Sequence, residues 1–420
     1  MIGLNTRNGK IKRNKNERTT IPIIHCGGFP KRKSLILTNG LGLGRRFPVE
    51  MSATYHSRTV VCHYDQQNQN TKIIMKLLLR ILKWVAKSIG LLFVLIVLAG
   101  LAFRLFGPEP HEPPGKLVDV GGFKLHINST GEKNEKPTLV IEGGSGMASE
   151  YYHWLSEGLK DSMRVVRYDR AGIGYSDAST TTRDPETIAR ELQTLLEKAG
   201  ELPPYIMVGH SLGGPYIRVF TELYPNEVVG MFLLDSTHPD RVERIPSIPK
   251  KSSLKSKSMV WMYDFQGILG DLGIMMLYDN LMGPILEREM DGLPDEINKR
   301  TKDFLNDGKY IRAIGKEFEQ YHTTLERAGK TNDFGSLPLR IFTNTIGEIP
   351  EKVYKEYLER GIDLRKTQIE SMKMQEQLIN LSTNSKLILI DGNHTSIFTK
   401  KENADIICKE IIRLLEDWKR

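Results

Sequence analysis

Residues Tyr205-Ile206-Met207-Val208-Gly209-His210-Ser211-Leu212-Gly213-Gly214 decide how the rest of the chain is read. Four apolar residues, a serine flanked by glycines and a helical run from Pro215 to Tyr224 predict a buried strand turning sharply into a helix. A serine hydroxyl is a useful nucleophile only when its oxygen is presented and its proton has an acceptor. A tight strand-to-helix corner presents it. Gly209 and Gly213 leave room for the corner, and the helix N-terminus aims backbone N–H groups at a developing oxyanion. The competing reading of the same residues is a structural glycine-rich turn.

Working outward, short apolar runs bounded by Gly, Asp or Asn recur at Thr138–Ile141, Arg164–Tyr168, Met231–Leu234, Leu339–Phe342 and Lys386–Ile390. Such runs predict strands buried on both faces. Lys116–Val120 and Phe123–Asn128, separated by Gly121-Gly122, predict a hairpin. Amphipathic helices lie between the strands. Asp184-Pro185 supplies an N-cap and a first helical proline, and Ile188, Leu192, Leu195, Leu196 and Ala199 form one apolar stripe. Ile407, Ile411, Leu414, Leu415 and Trp418 repeat the pattern at the end of the chain. Alternating strands and helices predict an α/β fold with a mostly parallel sheet, helices on both faces and the hairpin as an antiparallel edge. Residues 236–337 interrupt the alternation and read as mainly helical. Their Met-rich part, 259–282, is either a core helix pair or an apolar lid over the carboxyl edge of the sheet.

Residues 116–420 resemble the α/β-hydrolase fold superfamily, in its serine esterase and lipase-like group with an inserted cap. The serine turn carries the resemblance together with Glu142-Gly143-Gly144-Ser145-Gly146 and Tyr168-Asp169-Arg170-Ala171-Gly172-Ile173-Gly174-Tyr175-Ser176-Asp177. It implies a core of 116–235 and 338–420 with a helical cap or lid over 236–337. It also implies Ser211 as nucleophile, with the N–H groups of Leu212 and Gly144 as oxyanion hole. Glu142 stands where the family usually has His, and Asp169 has a turn-shaping role there.

The base follows the nucleophile in the chain, which leaves His238, His322 and His394. His394, in Asp391-Gly392-Asn393-His394 between the last strand and last helix, stands where the family places its catalytic histidine. His322 lies on a charged helical stretch and reads as a surface residue. The family usually carries the acid after the strand 339–342, where this chain has Thr343-Asn344-Thr345-Ile346-Gly347-Glu348. Asp235, one strand earlier, is the preferred acid and Glu348 the alternative.

The whole chain of 420 residues carries a net charge of +8, and the excess sits at the front. Residues 1–74 are net +10, 75–106 net +5 and 107–420 net −7. A body of that sign argues against nucleic acid as a partner. Cys26, Cys62 and Cys408 are too scattered for a disulfide framework. No metal-binding spacing appears, and no cofactor is expected. Residues 1–74 lack periodicity and read as a disordered basic leader. Trp84–Phe106 is long and apolar enough for a transmembrane helix, with Lys76, Arg80, Lys83 and Lys87 ahead of it. That charge bias predicts a cytoplasmic N-terminus and a single-pass anchor, with the hydrolase domain on the outer face of the cell membrane. The alternative is secretion after cleavage of a signal sequence. Residues 107–115 read as a Pro-rich linker.

The resulting expectation is a membrane-anchored serine hydrolase that cleaves carboxylic esters of acyl or lipid-like small molecules through an acyl-enzyme. The rivals are an acyltransferase or amidase on the same triad, and a non-catalytic binding module of the same fold.

Overall fold

The computed structural model describes residues 54–245, 254–283 and 290–418. The chain divides into two units, Met1–Leu82 and Lys83–Arg420. Helix α1 (Thr54–Phe106) supplies the described part of the first unit and the start of the second. Of the expected leader, residues 1–53 lie outside the described residues, whereas 54–74 are helical. The polar Gln/Asn run there gives no periodic signal, but extending an existing helix costs far less than nucleating one. The stretch Asn68–Phe106 is apolar and long enough to cross a membrane, and its most apolar window is almost wholly exposed.

Eight strands form one sheet in the order β1-β2-β4-β3-β5-β6-β7-β8. They are β1 (Lys116–Asp119), β2 (Lys124–Thr130), β3 (Thr138–Glu142), β4 (Val165–Tyr168), β5 (Tyr205–His210), β6 (Val228–Leu234), β7 (Leu339–Asn344) and β8 (Ser385–Ile390). β1 and β2 form the expected antiparallel hairpin, with Asp119 opposite Lys124. Asp119 Oδ1 accepts hydrogen bonds from the N–H groups of Gly121 and Gly122 at 2.8 and 3.1 Å. Both glycines have positive φ, which explains the Gly-Gly turn. β2 also pairs antiparallel with β4, and every later pairing is parallel.

The helices are α2 (His153–Leu159), α3 (Pro185–Ala199), α4 (Gly213–Leu223), α5 (Arg241–Arg244), α6 (Leu254–Asp271), α7 (Ile274–Met282), α8 (Asp295–Leu305), α9 (Gly308–Glu319), α10 (Tyr321–Gly329), α11 (Glu351–Glu359), α12 (Leu364–Gln377), α13 (Ser396–Thr399) and α14 (Lys401–Trp418). The Asp184 side chain accepts from Thr187 N–H, capping α3, and Gly200 at φ 73° ends it. Successive strand residues alternate between two cores. Leu139, Ile141, Val208 and Phe342 meet Leu155 of α2 and Ile407 and Ile411 of α14. Val140, Met207, Leu233 and Ile341 meet Leu192 of α3 and Ile217 and Phe220 of α4. Burying one such side chain contributes on the order of 1.5–3 kcal/mol, so both sheet faces are firmly covered.

Helices α5–α10 fall between β6 and β7, the interval expected to be helical. A second helical excursion, α11 and α12, follows β7 and was not signalled by any sustained apolar stripe. The strand order reverses at β3, which pairs with both β4 and β5. Loops leaving β3 and β5 at the carboxyl edge therefore open a crevice, the usual ligand position of such sheets.

Candidate active site

Ser211 follows β5 with φ 51°, a left-handed backbone that L residues rarely adopt. Its N–H donates to Leu234 O at 3.0 Å, while its carbonyl accepts from Gly214 N–H at 3.1 Å and Thr237 N–H at 2.9 Å. The corner also needs glycine on both sides. A Cβ on Gly209 would lie 2.7 Å from Gly213 O, and one on Gly213 would lie 2.3 Å from Glu142 O. The strained serine is thus held by two strands and the first turn of α4.

Asp235 follows β6 and is the other non-glycine residue with positive φ among those described, at 40°. Its Oδ2 is 2.5 Å from His394 Nδ1. Thr343 Oγ1 donates to Oδ1 at 3.0 Å and Asn344 Nδ2 to Oδ2 at 3.2 Å. Burial opposes ionisation of Asp235, but the His394 hydrogen bond and charge, with Thr343, outweigh it and hold the carboxyl below its ordinary range. Glu348 is exposed. His238 turns back on its own loop, its Nδ1 accepting from Asp240 N–H at 3.1 Å, and burial lowers it to about 4. His322 lies half-buried on α10.

Ser211, Leu212, Asp235 and His394 share a cavity of about 390 Å³, with Ser145, Thr237, Arg241, Tyr321, Ser371 and Gln375 completing its lining. Leu212 is the N-cap of α4. Gly144 lies on the loop that follows β3. Its N–H donates to Tyr152 Oη at 3.0 Å, and Ser145 is the residue of that loop that lines the cavity. Gly144 packs closely here, since a Cβ on it would lie 2.8 Å from His210 Nδ1.

His210 explains that arrangement. Its Nε2 is 3.0 Å from His394 O, so Nε2 carries the proton and donates. Nδ1 is then the acceptor for Tyr152 O–H at 3.1 Å. Burial first, then the charge of His394, keeps His210 well below its ordinary pKa and neutral. One relay of hydrogen bonds therefore joins the Gly144 loop to the His394 loop.

Glu142 is buried and pairs with Arg170 Nη1 at 2.5 Å, while Tyr168 donates to its other oxygen. Arg170 also donates to Gly143 O and Gly144 O, both at 2.7 Å, and its Nε to Glu317 Oε1 of α9 at 2.7 Å. Glu317 Oε2 accepts from Ser145 Oγ and Gly146 N–H at 3.0 Å each. The residue standing in place of the usual histidine is thus part of a buried ionic clamp on the loop. Arg170 was visible in the quoted motif, but nothing in the sequence signalled Glu317 as its partner, or Tyr152 and His210 as the relay behind Gly144. Asp169 is fully buried and accepts from Ser149 N–H, Tyr175 N–H and His126, a turn-holding arrangement.

Residues 136–270 match the family model described as alpha/beta hydrolase fold. The uncharacterised protein YbdG of Bacillus subtilis is 30 % identical over 173 residues, covering 40 % of this chain and 53 % of that protein. A proline iminopeptidase of Lactobacillus helveticus is 32 % identical over 128 residues, covering 29 % of this chain and 43 % of the peptidase. The chain thus spans about half the length of these curated relatives. Among solved structures, Cfl2 from Burkholderia cenocepacia superposes with a TM-score of 0.50 at 20 % identity, over 73 % of this chain and 100 % of its own, a likeness of fold.

Proposed function

Since this chain belongs to the α/β-hydrolase superfamily, we propose that it is a membrane-anchored serine hydrolase that cleaves carboxylic esters through an acyl-enzyme. The observation that carries this reading is the convergence of Ser211, His394 and Asp235 on one cavity. In the proposed reaction Ser211 Oγ attacks the ester carbonyl as its proton passes to His394 Nε2. Asp235 holds His394 Nδ1–H and stabilises the imidazolium. The tetrahedral intermediate collapses, the C–O bond to the alcohol breaks, and the alcohol leaves with the proton from His394. Water then attacks the acyl-enzyme, again deprotonated by His394, and releases the carboxylic acid and Ser211.

Leu212 N–H is the first oxyanion donor in this scheme. Gly144 N–H becomes the second by exchanging the Tyr152 hydroxyl for the substrate oxygen. His394 is 49 % exposed, which gives water access to the imidazole and favours hydrolysis over transfer to another acceptor. Helices α5–α10 are read as a cap over the cavity, to which Thr237, Arg241 and Tyr321 contribute walls. Trp84–Phe106 of α1 is read as the anchor, with the basic residues ahead of it on the cytoplasmic side and the hydrolase domain outside. An apolar lid beside a membrane suits acyl or lipid-like esters.

The test is covalent labelling of the full chain in detergent with a fluorophosphonate probe. Wild type labels, and Ser211→Ala and His394→Ala do not. A wild-type protein that is folded but unlabelled would remove the hydrolase reading.

A further inference from the structure

We propose that α6 and α7 are seated in the outer membrane leaflet, through which the C-terminal end of α1 leaves, their outer face in contact with lipid acyl chains. This rests on the reading of α1 as a membrane span. Trp261, Phe265 and Ile268 recur at i, i+4 and i+7 and form one stripe along α6, with Leu272 just past its end. Trp261 is 67 % exposed and Ile268 53 %, and α7 exposes Leu281 at 69 % and Met282 at 73 %. Trp261 and Phe265 stack on each other at 5.6 Å, leaving both rings outward. The opposite side of α6 is already used. A Cβ on Gly267 would lie 2.7 Å from Arg312 of α9, and one on Gly270 would lie 2.7 Å from Asn306 O. Large apolar side chains left exposed side by side, as Trp261 and Phe265 are, mark an interaction surface.

Contact with α1 identifies the occupant. The backbones of Gly100 and Gly273 touch, since a Cβ on Gly273 would lie 2.2 Å from Gly100 O. Arg104 Nη1 donates to Gly270 O at 3.0 Å and Asp271 O at 3.2 Å, satisfying carbonyls at the C-terminal end of α6. Gly100 lies six residues before the end of α1 at Phe106. At about 1.5 Å rise per residue, the α6–α7 turn meets the span about 9 Å inside its outer end. Interfacial helices bury their apolar faces to depths of about 5–10 Å, so the turn sits at the level of the acyl chains. The charges nearest the stripe do not prevent this, since Lys257, one turn before Trp261, can snorkel its ammonium to the headgroups. Asp271 is paired with Arg312 at 2.8 Å, and Asp264 lies on the flank of the stripe. The seating also reaches the site, because α9, against which α6 packs, carries the Glu317 that holds Ser145 and Gly146.

Brominated lipids quench tryptophans that reach the acyl chains, and the chain's tryptophans include one on each element. The full-length protein is reconstituted in phosphatidylcholine vesicles with and without bromine on the acyl chains, as wild type, Trp84→Phe and Trp261→Phe. The expected result is quenching of wild-type emission and a smaller quenched fraction in each variant. If only Trp84→Phe lowers the quenched fraction, the anchor reading stands and the seating of α6–α7 is overturned, leaving the stripe to a second copy or another protein. If neither variant lowers it, the anchor reading fails and the proposal falls with it.

Discussion

His394 Nδ1 and Asp235 Oδ2 lie 2.5 Å apart although 159 residues separate them in the chain. β7, whose trailing loop usually bears the acid in the resembled family, contributes Thr343 and Asn344 as donors to Asp235 instead. In the proposed triad the carboxylate lies one strand earlier than usual, and the end of β7 supplies its donors. Asp235→Asn is expected to keep the fold and lower kcat about 10⁴-fold through the wrong histidine tautomer. Glu348→Gln, at an exposed side chain, is expected to leave kcat within about twofold of wild type on p-nitrophenyl esters. The reverse pattern would show that Glu348 is the acid.

Arg170 is nearly fully buried between two carboxylates, Glu142 and Glu317. Replacing it by Met leaves both without their cation, and breaking a buried pair from one side costs about 3–5 kcal/mol. Urea denaturation of Arg170→Met should show a loss of that size. The structural reading of Glu142 would fail if Arg170→Met were as stable as wild type.

The strand-turn-helix at 205–224, the hairpin and the alternation of short apolar runs made the sheet legible, because all three rest on local chemistry. Ser211 was legible for the same reason: only a glycine-flanked corner tolerates that backbone. Asp235 and His394 needed the resemblance, since no local signal says that two loops so distant in sequence meet. The partners of Glu142 were illegible. A buried carboxylate reads as an anomaly until the arginine and the α9 carboxylate that neutralise it are seen in space. α11 and α12 were missed because α11 buries no residue and α12 buries mainly Met374 and Gln375, too little for an apolar stripe.

Two buried histidines set opposite stability limits around their common ordinary value of 6.5. Burial, then the charge of His394, lowers His210, so the folded state binds fewer protons and stability falls as pH drops below about 6.5. His153 and His238 act in the same direction. Burial also pulls His126 down, but its hydrogen bond and attraction to Asp169 win and raise it. Its contribution is full below the unfolded value and is lost as pH rises through the folded one. Urea unfolding across pH 5–8 should therefore show a stability maximum near 6.5, with limiting slopes of about 1.4 kcal/mol per pH unit for each proton. His210→Gln should flatten the acidic limb and His126→Gln the basic one. A flat profile in wild type would contradict both assignments.

The close approach of α1 to the α6–α7 turn leaves no room for a side chain at Gly100. A Cβ there would lie 2.5 Å from Leu272 O and 3.1 Å from the Gly273 carbonyl carbon, both backbone atoms. Gly90, on the same helix, has nothing within 4 Å of its would-be Cβ. Valine at either position carries the same helix propensity, so the difference between the two variants isolates the contact. Overpacking of this kind costs about 1–3 kcal/mol. Gly100→Val should accordingly lower Tm in detergent by several degrees relative to Gly90→Val. Ser211 stands far along the chain on the rigid β5–α4 corner, so fluorophosphonate labelling of both variants at low temperature should match wild type. Equal Tm values for the two variants would mean that α1 and the turn do not pack as described.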